Sequence, residues 1–158
     1  MYLSGLRIFT CFVMSFFIVE GFSAIQREKV YQALSGDSAE LLTEAFDNLS
    51  DNQPVHLAYK GALLMRKAAF ASTPQQRLEY FNKGREILEK EITKYPDNVE
   101  LRFLRLMIQE NSPRMLGYNT NISNDIVFIE MHYKTAERDL RKEIERYAKK
   151  SKILNLSN

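Results

Sequence analysis

From residue 25 onward the apolar positions of the chain recur at helical spacing, in blocks separated by short polar breaks. Val30, Tyr31 and Leu34 form a first helical face, which Ser35-Gly36 interrupts. Asp37 and Glu40 have capping-box spacing, and Leu41, Leu42, Ala45, Phe46 and Leu49 make the apolar face of a second helix that ends at Ser50–Pro54. Residues 55–71 are rich in alanine and leucine, with Gly61 among small neighbours, and predict a buried helix-hairpin arm. Thr73 and Gln76, with Pro74 between them, mark the start of a long helix. Its expected buried side is Leu78, Phe81, Ile87, Leu88, Ile92 and Tyr95. Gly84 costs this helix up to ~1 kcal/mol of propensity, so a packing reason is expected, namely close approach to Ala58 or Gly61 on the preceding helix.

The stretch 95–119 organises the rest. Tyr95-Pro96 closes the long helix, because proline disfavours the helical conformation of the residue before it. Asp97 and Glu100 are expected to cap the next helix, in which Leu101, Phe103, Leu104, Leu106, Met107 and Ile108 project around most of the circumference. A helix apolar on that many sides needs several neighbours. Its one polar stripe is Arg102, Arg105 and Gln109. A polar connection from Ser112 to Asn124 follows, too long for an ordinary turn; Met115, Leu116, Tyr118 and Ile122 are its expected anchors, and Gly117 permits a sharp reversal. From Ser123 or Asn124 one last helix carries the narrow seam Ile126, Ile129, Tyr133, Ala136, Leu140, Ile144 and Tyr147, with Glu137–Arg141 and Glu145–Lys149 as surface pairs.

The start of the chain reads as an address. Arg7 is a lone early charge, Ile8 to Val19 is an apolar run, and Gly21 and Ser23 are the small residues a signal peptidase reads; cleavage after Ser23 is expected. That run is short of the ~20 residues needed to span a bilayer and is closed by Glu20, so stable membrane insertion after cleavage is not expected. Three parts result: a signal peptide at 1–23, a helical domain at 24–150 and a frayed tail at 151–158. Composition adds little chemistry. A net charge of +2, unchanged by removal of the first 23 residues, does not provide the concentrated basic surface that nucleic acid requires. The single cysteine, Cys11, lies in the removed segment, which leaves no disulfide and no thiolate ligand or nucleophile.

His56 and His132 fall on different helices, and Glu130 with His132 lacks the spacing of a di-iron bundle, so no metal site and no cofactor are expected. There is no GxSxG elbow, phosphate-binding glycine loop or HExxH. Asn48, Asn121 and Asn155 begin Asn-x-Ser triplets that matter only in a eukaryotic secretory pathway, and Asp37-Ser38-Ala39 resembles a short bacterial O-glycosylation signal.

The candidate binding residues are Arg102, Arg105 and Gln109 with Asn111, Arg114, Tyr118 and Asn119. Forked guanidinium donors suit a carboxylate or another anion. The competing reading is that these arginines tie down the connection through its carbonyls or through acids such as Glu91 and Asp125.

Helix, short turn and helix, then Tyr95-Pro96-Asp97-Asn98 and another helix, resembles the junction between tetratricopeptide-type repeats over roughly residues 57–109, with longer arms than a standard repeat and no tryptophan. The motif FLRLMIQENSP followed by LGYN is also similar to uncharacterised exported helical proteins of Gram-negative bacteria, which implies an envelope address and no particular activity. The expectation is an all-α fold: a single domain of five or six helices in tetratricopeptide-like antiparallel pairs. The expected protein is periplasmic or secreted and noncatalytic, and it binds a protein or peptide of the cell envelope. The alternatives are a binder of a small amphiphilic or anionic ligand, with Met115 in its site, and an enzyme of unknown class.

Overall fold

A computed structural model describes residues 25–156, so the expected signal peptide at 1–23 lies outside the described residues. Among those described there are seven α-helices and no strand. They are α1 (25–35), α2 (Ala39–Asp47), α3 (Pro54–Lys67), α4 (Pro74–Lys94), α5 (Val99–Asn111), α6 (Ile122–His132) and α7 (Arg138–Ala148).

Seven rather than five or six follows from one misread element. The seam from Ile126 to Tyr147 is not one helix: a 3₁₀ turn at Tyr133–Thr135 and extended backbone at Ala136 and Glu137 divide it into α6 and α7. Neither Pro nor Gly marks the break. The Thr135 hydroxyl donates to the His132 carbonyl, and a His132 ring nitrogen lies 2.8 Å from the Phe128 carbonyl, local bonds that compete with helix continuation. The expected pairs Glu137–Arg141 and Glu145–Lys149 are not among the ion pairs of the described residues; Glu137 reaches Arg27 instead, 3.0 Å away.

The core forms where α3 lies against α4 and α5. The turn between α3 and α4 tightens through a 3₁₀ segment at Ala68–Phe70, and Thr73 then caps α4 by accepting the Gln76 amide, with Pro74 in the first turn. Gly61 and Gly84 are the contact point of this hairpin. A Cβ on Gly61 would stand 2.8 Å from the Gly84 carbonyl oxygen, and one on Gly84 would clash with the Gly61 carbonyl. The glycine pair therefore lets two helix backbones touch. Leu78, Tyr95 and Leu41 were expected on buried faces but are exposed, because each lies at the end or margin of its stripe, beyond the reach of the neighbouring helix.

Two caps differ from expectation by one residue. Ser38, not Asp37, caps α2 by accepting the Leu41 amide, which leaves Asp37 to pair with Arg66 at 2.7 Å. Asn98, not Asp97, caps α5 by accepting the amides of Glu100 and Leu101, which leaves the Glu100 side chain for the interior. The connection is ordered through a 3₁₀ turn at Arg114–Leu116 and a reversal at Gly117, whose φ of 61° is the left-handed conformation glycine accepts without strain. Tyr118 is its buried anchor; Met115, expected to be one, is 91% exposed. Residues 151–156 are not frayed: Leu154 is fully buried, and Ser151 and the Lys152 amide both donate to Glu110.

Candidate functional site

α5 carries two buried ionic clusters on different faces, and they divide the candidate residues between them. The first is built on Asp125, completely buried in the first turn of α6. Arg105 grips it through two bonds of 2.7 Å, from Nε to Oδ2 and from Nη2 to Oδ1, while its Nη1 donates to Glu89 of α4 at 2.9 Å. The other Glu89 oxygen accepts from the Tyr118 hydroxyl, so the connection is tied to α4. Arg102 adds a 3.2 Å bond to Asp125, donates to the Pro96 carbonyl and lies over the Phe128 ring. Glu91, the other acid expected to meet these arginines, pairs with Lys94.

Burial works against the charge of Arg105, but hydrogen bonds and charges from Asp125 and Glu89 more than offset this and hold its pKa above the usual arginine value. Burial, reinforced by Glu89, likewise pushes the Tyr118 hydroxyl above the usual tyrosine range, so it acts as a donor. Forked donors meeting a forked acceptor, each fixed by a further bond, make a clamp that joins α4, α5, α6 and the connection. The guanidinium groups expected to face a ligand are engaged by the protein's own carboxylates.

The remaining candidates do not gather there. Gln109 is buried on α5, and neither atom of its side-chain amide has a hydrogen-bond partner. Asn111 belongs to another surface, where its amide donates to the Met107 carbonyl and to the Tyr147 hydroxyl of α7. Arg114 and Asn119 are exposed on the connection.

The second cluster has Glu100 at its centre. Its carboxylate accepts two bonds from Arg27 of α1, at 2.9 and 3.2 Å, one from Tyr31 of α1 at 3.2 Å, and one from Tyr59 of α3. Burial first, and then the Glu100 charge, raise both tyrosines well above their usual range. Aromatic rings continue the contact: Tyr59 meets Tyr31 edge-on, Tyr31 lies 5.5 Å from Phe103 of α5, and Phe103 meets Tyr147 of α7 edge-on at 5.5 Å. α1, α3 and α5 meet at Glu100, and α7 lies against α1 and α5. Glu137 at the start of α7 reaches Arg27, and Leu140 and Ile144 are buried. At the far end Glu110 of α5 accepts from Tyr147, Ser151 and the Lys152 amide, each at 2.7 Å.

Between α1, α5 and α7 remains a concavity of about 190 Å³, lined in part by Tyr31, Gln32, Met107, Glu143 and Tyr147. Sequence reasoning missed this face because Glu100 reads as a cap and no local pattern marks Arg27 as buried. A weak signal existed in Tyr31 and Tyr59, whose hydroxyls need partners once their positions are recognised as buried.

Both clusters consist of acceptors filled by donors, an arrangement suited to holding helices together and offering no free base or nucleophile among the described residues named here. No three His, Cys, Asp or Glu side chains converge to hold a metal ion among the described residues, and no described helix is long and apolar enough to cross a membrane. No protein family, curated protein or solved structure matches the chain.

Proposed function

We propose that this chain is an exported, noncatalytic helical binding module of the cell envelope, and that its partner is a protein or peptide engaged by the shared face of α1 and α5. One observation carries this reading: that face already holds an amphipathic helix, α7, through aromatic contacts, a carboxylate received by Arg27 and donors received by Glu110. A surface that satisfies one amphipathic helix has the chemistry to recognise another. The pairing of α3 with α4 and of α5 with α6, with the first members α3 and α5 in contact, supports a tetratricopeptide-like stack in which first helices line the binding side. An anion at Arg102 and Arg105 has less support, since Asp125 and Glu89 occupy their donors.

The test is site-specific photo-crosslinking in the native envelope. A photoreactive side chain replacing exposed Gln32, beside the concavity, should yield a discrete adduct whose partner peptide is identified by mass spectrometry. The same group replacing Lys90, exposed on α4, should not. Equal yields of the same adduct from both positions would refute a partner site on this face.

A further inference from the structure

We infer that His56 is an acid-sensitive catch, which on taking up a proton releases the turn of residues 48–53 and with it α2 from α3. This device is independent of the binding role proposed above. His56 is 6% exposed in the first turn of α3, where aligned peptide dipoles concentrate positive charge, and that turn contains no acidic residue to offset it. Lys60, one turn further along the same face, adds a like charge. Glu100 on α5 and the Ser50 backbone favour a charged ring, but the Glu100 carboxylate is already engaged by Arg27 of α1, Tyr31 and Tyr59, and the Asp51 carboxylate by Lys60. The Tyr59 ring lies near-parallel to the imidazole, with centroids 6.3 Å apart. Burial first, and then Lys60, therefore hold the pKa of His56 below the usual histidine value.

The turn over His56 is the part that gives way. The Ser50 hydroxyl lies 3.1 Å from the imidazole Nδ1, Lys60 reaches the exposed Asp51 at 2.6 Å, and Gln26 of α1 donates to the Asn48 carbonyl at 3.0 Å. Leu49 is the one buried side chain of the turn, and α2 before it buries only Leu42 and Ala45. Segments with so few buried side chains open at low cost. α3 is fixed by contrast, to α4 through Gly61 and Gly84 and to α5 through Tyr59 and Glu100. Hydration of a charged His56 therefore moves the turn and α2 rather than α3. In the opened form the imidazole meets water and regains its ordinary value near 6.5. The opened form thus binds the proton more tightly, so the closed form keeps its full advantage above pH 6.5 and loses it as pH falls from there toward the lowered folded value. Between the two values the opening equilibrium rises by up to about tenfold per pH unit.

The experiment reads amide exchange of the purified protein at pH 7 and pH 5, corrected for the intrinsic pH dependence of exchange, together with the NMR titration of the His56 ring. The chain has only two histidines, so His56→Gln assigns the signal. The His56 ring should titrate below pH 6.5. Protection of the amides of α2 and of Leu49 should be at least about threefold lower at pH 5 than at pH 7, with that of α4 unchanged. In His56→Gln the protection of α2 should be the same at both pH values. A His56 midpoint at or above 6.5 would overturn the inference, as would α2 protection that does not fall in wild type or that falls equally in His56→Gln. Should His56→Gln fail to fold, His132→Gln assigns the signal and the wild-type data decide: α4 amides losing protection in step with α2 would mean general acid unfolding, and the catch would be refuted.

Discussion

Replacing Gly84 with alanine tests the hairpin on which the domain is built. The added methyl would stand 2.6 Å from the Met65 Cγ and 2.8 Å from the Met65 amide nitrogen, and closer still to the Gly61 carbonyl oxygen. Ordinary contact begins at 3.4 Å, so the backbone nitrogen alone is 0.6 Å too near, and α3 and α4 must part. A gap of that size forfeits roughly a quarter or more of the dispersion energy of each contact it opens, here along Ala58, Ala62, Met65 and Leu88. Overpacking of this kind costs about 1–3 kcal/mol, and more where backbone is the obstacle; the better helix propensity of alanine returns up to ~1 kcal/mol. We expect a net loss of about 2 kcal/mol, read as a lower midpoint in urea denaturation at unchanged slope. Gly61→Ala addresses the same approach from the other side, since its methyl meets the Gly84 carbonyl and Leu88. Once the helices have separated, the second methyl meets less resistance, so the double variant should lose at least ~1 kcal/mol less than the two single losses added. Strict additivity, or a stabilised Gly84→Ala, would refute the argument that one backbone contact holds this pair.

Arg105→Ala should destabilise the domain by about 3–5 kcal/mol, because it leaves Asp125 buried without its main partner, and limited proteolysis should cut residues 112–121 faster than in wild type; equal cutting would show that the clamp does not hold the connection. Gln109→Met should stabilise by about 1–2 kcal/mol by removing two buried, unpaired polar atoms, and a lower denaturation midpoint would mean the amide is hydrogen-bonded in solution. Glu143 is flanked by Arg146 and Asp139 on α7 and by Arg27 and Glu28 on α1, and its folded pKa lies above the unfolded value near 4.5. The folded state therefore binds its proton more tightly, and this contribution is full below the unfolded pKa and lost as pH rises through the folded one. Glu143→Gln should accordingly be more stable than wild type at pH 7, with the advantage shrinking toward pH 4; a pH-independent difference would count against the burial effect. N-terminal sequencing of protein from the envelope fraction should begin near Ala24, and a retained Met1 would overturn export.

The sequence by itself determined what depends on local pattern. Periodicity placed most helices, Thr73-Pro74 placed the start of α4, Tyr95-Pro96 its end, and Gly84 announced a close approach that the hairpin makes with Gly61. The excess of apolar positions on α5 required several neighbours, and α3, α4 and α6 supply them. These signals are legible because spacing, ring geometry and side-chain volume act within a few turns of chain. What only the tertiary structure decided are pairings across long separations. Glu100 has the same sequence signature as a capping acid, and only the arrival of Arg27, Tyr31 and Tyr59 from 73, 69 and 41 residues away makes it the centre of a buried cluster. Arg102 and Arg105 read equally well as ligand donors or as structural ties until Asp125 is placed between them. The break after His132 contains no breaker residue; it exists because α6 covers α5 while α7 must turn to reach α1. Leu154 lies in a polar tail that looks free to fray, and a packed interior with Glu110 ready to receive the chain beside it gives that tail a place to dock.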